Sequence, residues 1–131
     1  MPDPVPDFWP ANIGETTLIT PASILKEEAS YLGPKTEQLV KAEVRSATSG
    51  DNFVQRFVIV APGLNDYAFI LFYVVHPITL YPATLVWQNI NHTVPNQAGL
   101  TAKLKEILES GQTRQVIEAL LAQVSGASVS Q

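Results

Sequence analysis

With two histidines and no cysteine, this chain has few residues that could do chemistry. A zinc site needs three or four nitrogen, sulfur or oxygen ligands converging on one point. His76 and His92 fall in different predicted loops and form neither an H-x-x-x-H nor an H-x-H spacing, so no metal is expected. The missing thiols exclude cysteine nucleophiles and disulfides. The strained serine turn G-x-S-x-G is absent, which leaves His76 with Asp51 or Asp66 as the one acid–base pairing worth inspecting. Glu27 and Glu28 are adjacent, so on a helix they diverge by about 100° and read as a solvated face. Neither Ser49-Gly50 nor Pro62-Gly63 matches a phosphate-binding glycine pattern, so no nucleotide and no cofactor is expected. Asn91-His92-Thr93 fits the glycosylation sequon, but no secretory leader accompanies it. These absences point away from an enzyme.

The polar residues set among apolar ones are more informative. Arg56 stands in an otherwise apolar strand and shares its face with Val54, Val58 and Val60. If that face is open, a planar guanidinium there is an anchor for a carboxylate or a partner residue. Tyr73, His76, Tyr81 and Trp87 are the groups that would give an apolar pocket its few polar contacts. These five residues are the candidate ligand- or partner-binding set.

The elements that must position them occupy the middle of the chain. Residues 39–48 alternate Val40, Ala42 and Val44 with Lys41, Glu43 and Arg45, the period of a strand with one wet face. Charges on that face suit a sheet edge. Strands are also predicted over 53–60, 67–75 and 81–88, joined by turn-forming Gly, Asn, Asp and Pro. Connections this short require antiparallel neighbours, hence a meander in the order 1-2-3-4. The third strand, YAFILFYVV, has no charge and no wet face, so both sides of the sheet must be covered at its centre. By period two, Tyr67, Phe69 and Tyr73 share one face and Phe72 takes the other.

A first helix is predicted from Thr20-Pro21, a good cap followed by a proline in the first turn, and a stop is predicted at Gly33-Pro34. Two more helices are predicted over 100–109 and 113–124 from the spacing of Leu100, Leu104, Ile107 and Val116, Leu120, Val124. The expected fold is therefore α+β. It is a four-stranded antiparallel meander with one N-terminal helix and two C-terminal helices, packed mainly on one face. In outline, a helix followed by such a meander resembles the cystatin-type layout, an architectural likeness that carries no function. Residues 1–19, dense in proline, are expected as an extended arm that docks through Phe8 and Trp9. The single domain spans 20–124, and 125–131 form a loose tail.

Net charge is −4, from 8 Lys+Arg against 12 Asp+Glu, with the basic residues dispersed. Nucleic acid and anionic membrane surfaces need a basic cluster, so neither is expected. Apolar runs are too short to span a bilayer, and the lack of a leader and of cysteine suits a reducing cytoplasm. Charged residues make up only 15% of the chain, which leaves apolar surface for a partner to cover. The function expected first is a non-enzymatic binding or assembly module, a homo-oligomer through an apolar sheet face or a binder of another protein. The alternatives are a small apolar ligand held between sheet and helices, and an acidic partner-binding protein of the immunity or adaptor kind.

Overall fold

The structure, a computed structural model, describes residues 4–128. Thr20 is extended (φ −84°, ψ 155°), and its hydroxyl accepts from the Ser23 N–H at 3.1 Å, which starts α1 (Pro21–Ala29). Pro21, Leu25 and Ala29 form the buried stripe of this helix. The helix closes at Ser30, before the predicted stop. Gly33 and Pro34 instead belong to a separate single turn, α2 (Leu32–Lys35). Pro34 is tolerated there because the first helical turn has no internal use for its missing N–H.

The sheet has five strands, not four: β1 (Lys41–Ser49), β2 (Asn52–Ala61), β3 (Tyr67–His76), β4 (Ala83–Trp87) and β5 (Ile90–Val94). All neighbours pair antiparallel in the order β1-β2-β3-β4-β5. The fifth strand occupies the segment around His92 that the sequence predicts as loop. Gln88 and Asn89 make a two-residue turn with φ of 55° and 63°, the left-handed pair that a tight hairpin requires, and the chain returns along β4.

Asn96 caps α3 (Gln97–Leu108), its Oδ1 accepting from the Gly99 N–H at 2.8 Å. The buried Thr113 hydroxyl donates to the Ile107 carbonyl at 2.7 Å and so ties the end of α3 to α4 (Gly111–Ser128). The last helix thus includes residues 125–128, which were expected to be loose. Residues 129–131 lie outside the described residues, as do residues 1–3 of the arm.

The cross-strand register defines the two faces. Phe57 and Ile59 of β2, Phe72 and Val74 of β3, Leu85 of β4 and Val94 of β5 share one face. They form a single buried cluster with Leu25 of α1, Leu100, Leu104 and Ile107 of α3, and Leu120 and Val124 of α4. Phe57 and Phe72 stack at its centre, with ring centroids 5.0 Å apart. Val54, Val58 and Val60 of β2 point to the opposite face; they are buried but stand outside this cluster.

A bulge alters the predicted faces of β3. Phe57 is opposite Phe72, but Val58 is opposite Ile70, so Leu71 is an extra residue in β3. The added residue resets the alternation. Tyr67 and Phe69 therefore lie on the same face as Phe72, and Tyr73 turns to the other. Strict alternation instead groups Tyr67 and Phe69 with Tyr73; only the opposition of Tyr73 to Phe72 holds.

Residues 4–19 form no helix or strand. Phe8 and Trp9 are 82% and 73% exposed, so the expected docking of the arm is not seen within the chain.

Candidate functional site

Nine of the ten residues of β3, all but the bulged Leu71, pair with β2, but β4 meets β3 only at Tyr73, Val74 and Val75. Beyond that point, residues 67–71 have a strand on one side only. A bare strand edge presents a row of unmet backbone donors and acceptors, which is a template for pairing with another chain. The five-residue length of β4 and the early turn at Gln88-Asn89 leave this gap.

A groove of about 330 Å³ opens along that edge. Phe69 and Phe72 enter it from the core face of β3, and Ile70 and Tyr73 from the opposite face. Because both faces contribute, the groove follows the edge of the strand. Val86, Trp87 and the turn at Gln88-Asn89 form its second wall, and Gln112 and Val116 of α4 line its floor. Gln88 donates to Gln112, which links the hairpin turn to α4. Ile70 is 51% exposed and Tyr67, in the same strand, 49%.

Arg56 lies beside this groove. It is half-buried on the outer face, opposite Tyr73 on one side and Arg45 on the other. Arg45 in turn pairs with Glu43 at 3.2 Å, both exposed, and this pair contributes little to stability. The face around Arg56 thus carries Val54, Val58, Ile70 and Val86 with a fringe of Lys41, Glu43 and Arg45 along β1.

Of the five candidates, Tyr73 and Trp87 line the groove, Arg56 lies opposite Tyr73 on the outer face, and the other two stand apart. His76 is 5% exposed on the core face at the end of β3 and stacks on Phe53. Ser46 donates to the Gln55 side-chain oxygen, so the Gln55 amide group is free to donate to His76 Nε2 at 3.3 Å. A carbonyl can only accept, so His76 Nδ1 carries the hydrogen donated to the Pro77 carbonyl at 2.9 Å. This chain of bonds uses both ring nitrogens, and His76 is a structural residue rather than a ligand-facing one. The pairing of His76 with Asp51 or Asp66 has no support, since both carboxylates are exposed turn residues.

Tyr81 packs against the core cluster, and its buried hydroxyl has no hydrogen-bond partner among the described residues. Burial pushes its pKa above the ordinary value. The unfolded chain ionises first, so the stability contributed by the neutral phenol is complete below pH about 10 and is lost as pH rises further. Tyr81→Phe should match or slightly exceed the native stability at neutral pH, by up to about 1 kcal/mol, because the hydroxyl makes no bond to lose. It should also lose less stability than the native chain above that pH. Urea unfolding at the two pH values checks this; a variant destabilised at neutral pH would show that the hydroxyl has a partner.

Residues that sequence reading did not select also make a cavity. A cleft of about 320 Å³ lies over the core face between α1, α2 and the last two helices. Ala42, Phe57 and Ile59 of the sheet line it together with Leu32, Leu108 and Ile117, and Glu28, Tyr31 and Lys35 add its polar groups. The Glu27 carboxylate, which accepts from the Tyr31 hydroxyl at 3.2 Å, raises the Tyr31 pKa. None of the five candidates lines this cleft. Its aliphatic residues are ordinary helix-stripe and strand residues, which gave no signal apart from the core.

His92 faces α3 from β5, with its Nε2 buried and without a partner among the described residues, in a groove shared with Lys103 and Glu106. Lys103 holds the Glu106 carboxyl below its usual range through a 2.8 Å ion pair. Among the described residues there is no group of three or more His, Asp or Glu side chains placed to hold a metal ion. No described helix is long and apolar enough to cross a membrane. No family model, curated protein or solved structure matches this chain.

Proposed function

We propose that this chain is a non-catalytic assembly domain that associates with a second copy of itself through the outer face of its sheet and the adjoining open edge of β3. The observation that carries the reading is Ile70. A half-exposed isoleucine at the junction of an apolar sheet face and an unpaired strand edge needs a cover that the single chain does not supply. In this reading α1, α3 and α4 all roof the core face, because their buried residues all join that cluster.

Size and charge favour a second copy as the cover. Five strands of these lengths spread over roughly 600 Å² per face, close to the roughly 800 Å² that each partner commits to a standard interface. The fringe of β1 alternates Lys41, Glu43 and Arg45. About a two-fold axis this fringe can oppose unlike charges, as a self-complementary interface must.

Light scattering over a dilution series tests the reading. The expected mass approaches twice the 14.3 kDa chain at high concentration and falls to one chain on dilution. A single-chain mass at every concentration overturns it.

A further inference from the structure

An open strand edge and an extended apolar segment occur in the same chain, and neither is satisfied where it stands. We infer that residues 15–19 of a second copy lie along residues 67–71 of β3 as an added strand. This inference rests on the self-association proposed above and names the segment that completes it.

The segment is suited to the role. Glu15-Thr16-Thr17-Leu18-Ile19 contains no proline or glycine, and three of its residues are β-branched, which favours a pleated strand. It precedes α1 without helix or strand structure of its own, and Leu18 and Ile19 are 73% and 48% exposed. Its five residues fit within the six of β3, 67–72, that β4 leaves unpaired. The Leu18 N–H is bonded locally to Thr16 Oγ1 at 3.0 Å, a bond that a ladder hydrogen bond would replace. Adding a strand to a sheet edge is a general mode of recognition, in which backbone bonds give affinity and side-chain pockets give register. Here the pocket is the groove between Phe69, Phe72 and Trp87, wide enough for an aliphatic side chain such as Leu18.

The occupant belongs to another molecule because of where the segment is tethered. Ile19 directly precedes Thr20, the cap of α1, and α1 packs against β1, β2 and α3. The open edge of β3 faces the β4 side of the sheet. Within one chain, β2 and β3 themselves separate the two. Between two chains no such barrier exists, and a two-fold axis makes both exchanges at once. The added strands also enlarge the buried area beyond the face alone. Upstream, Phe8 and Trp9 extend from each exchanged segment, where they can cover more of the neighbouring chain.

Because the chain lacks cysteine, a single introduced thiol reports position without interference. Thr16→Cys and Ala68→Cys each replace an exposed residue and should leave the domain folded. The two variants are mixed, allowed to exchange, and treated with a short bis-maleimide. The expected result is a covalent dimer from the mixture that neither variant gives alone. If the mixture gives no more than either variant alone while light scattering still shows a dimer, strand exchange is overturned and association through the face stands. If light scattering shows one chain throughout, both are overturned.

Discussion

Phe57→Ala should remove about 3–5 kcal/mol of folding free energy, whereas Arg56→Ala, the very next residue, should remove less than about 1. The two side chains leave the same strand in opposite directions. Phe57 is 2% exposed, stacked on Phe72 at 5.0 Å, at the centre of the cluster that joins β1, β2, β3, α1 and α3. Its loss removes the stacking and enlarges the neighbouring cleft, which cannot close without moving α1. A domain of this kind has only about 5–15 kcal/mol in total, so the loss is a large share of it. Arg56 is half-buried and faces outward, where its aliphatic stem covers apolar surface and its head stays wet. Urea unfolding of both variants measures the contrast. Equal losses would contradict the placement of Phe57 inside the core cluster and of Arg56 outside it.

Ile70→Asp should have the reverse profile. Ile70 is 51% exposed and lies outside the core cluster, so a carboxylate there should cost the single chain less than about 1 kcal/mol. In the associated form the same carboxylate would be buried against apolar groups without a dedicated partner, which costs several kcal/mol. Even about 3 kcal/mol shifts a dissociation constant more than a hundredfold. Light scattering should therefore show a single chain at concentrations where the native protein is paired, with the melting temperature nearly unchanged at low concentration. An unchanged dissociation midpoint would remove Ile70 from the interface. A stability loss as large as that of Phe57→Ala would place it in the core.

Much of the architecture is legible in the residues because several signals agree. Thr20-Pro21 marks the start of α1 by capping and by its fixed φ together, and the structure starts the helix there. Val40, Ala42 and Val44 alternate with charges, and the first strand keeps that pattern of burial. The spacing of Leu100, Leu104 and Ile107 identifies the buried stripe of α3. Arg56 is correctly grouped with Val54, Val58 and Val60, since alternation along β2 is undisturbed.

What failed to show has physical causes. β5 is short and its outward residues Asn91 and Thr93 are polar, so it carries no apolar run, and its turn uses Gln-Asn where glycine would have signalled a hairpin. The alternation of Ile90, His92 and Val94 was the available clue. The bulge at Leu71 leaves no trace, because β3 is apolar on both faces and a one-residue shift changes nothing in its pattern. The same ambiguity grouped Tyr67 and Phe69 with Tyr73, which lies across from Arg56 on the other face. The open edge of β3 was also invisible, since it depends on where β4 stops and not on any property of residues 67–71. His76 and Tyr81 are polar groups in apolar surroundings, a description that fits a buried structural bond chain and a core hydroxyl with no partner among the described residues equally well.

Amide hydrogen exchange at residues 67–71, followed across the concentrations over which the chain pairs, tests the central claim most directly. Alternate amides of this stretch point toward β2 and should exchange slowly at every concentration. The amides between them point to the open edge; they should exchange fast in the dilute single chain and become protected as association proceeds. Exchange at those amides that does not change with concentration, in a sample shown to associate, would contradict the account.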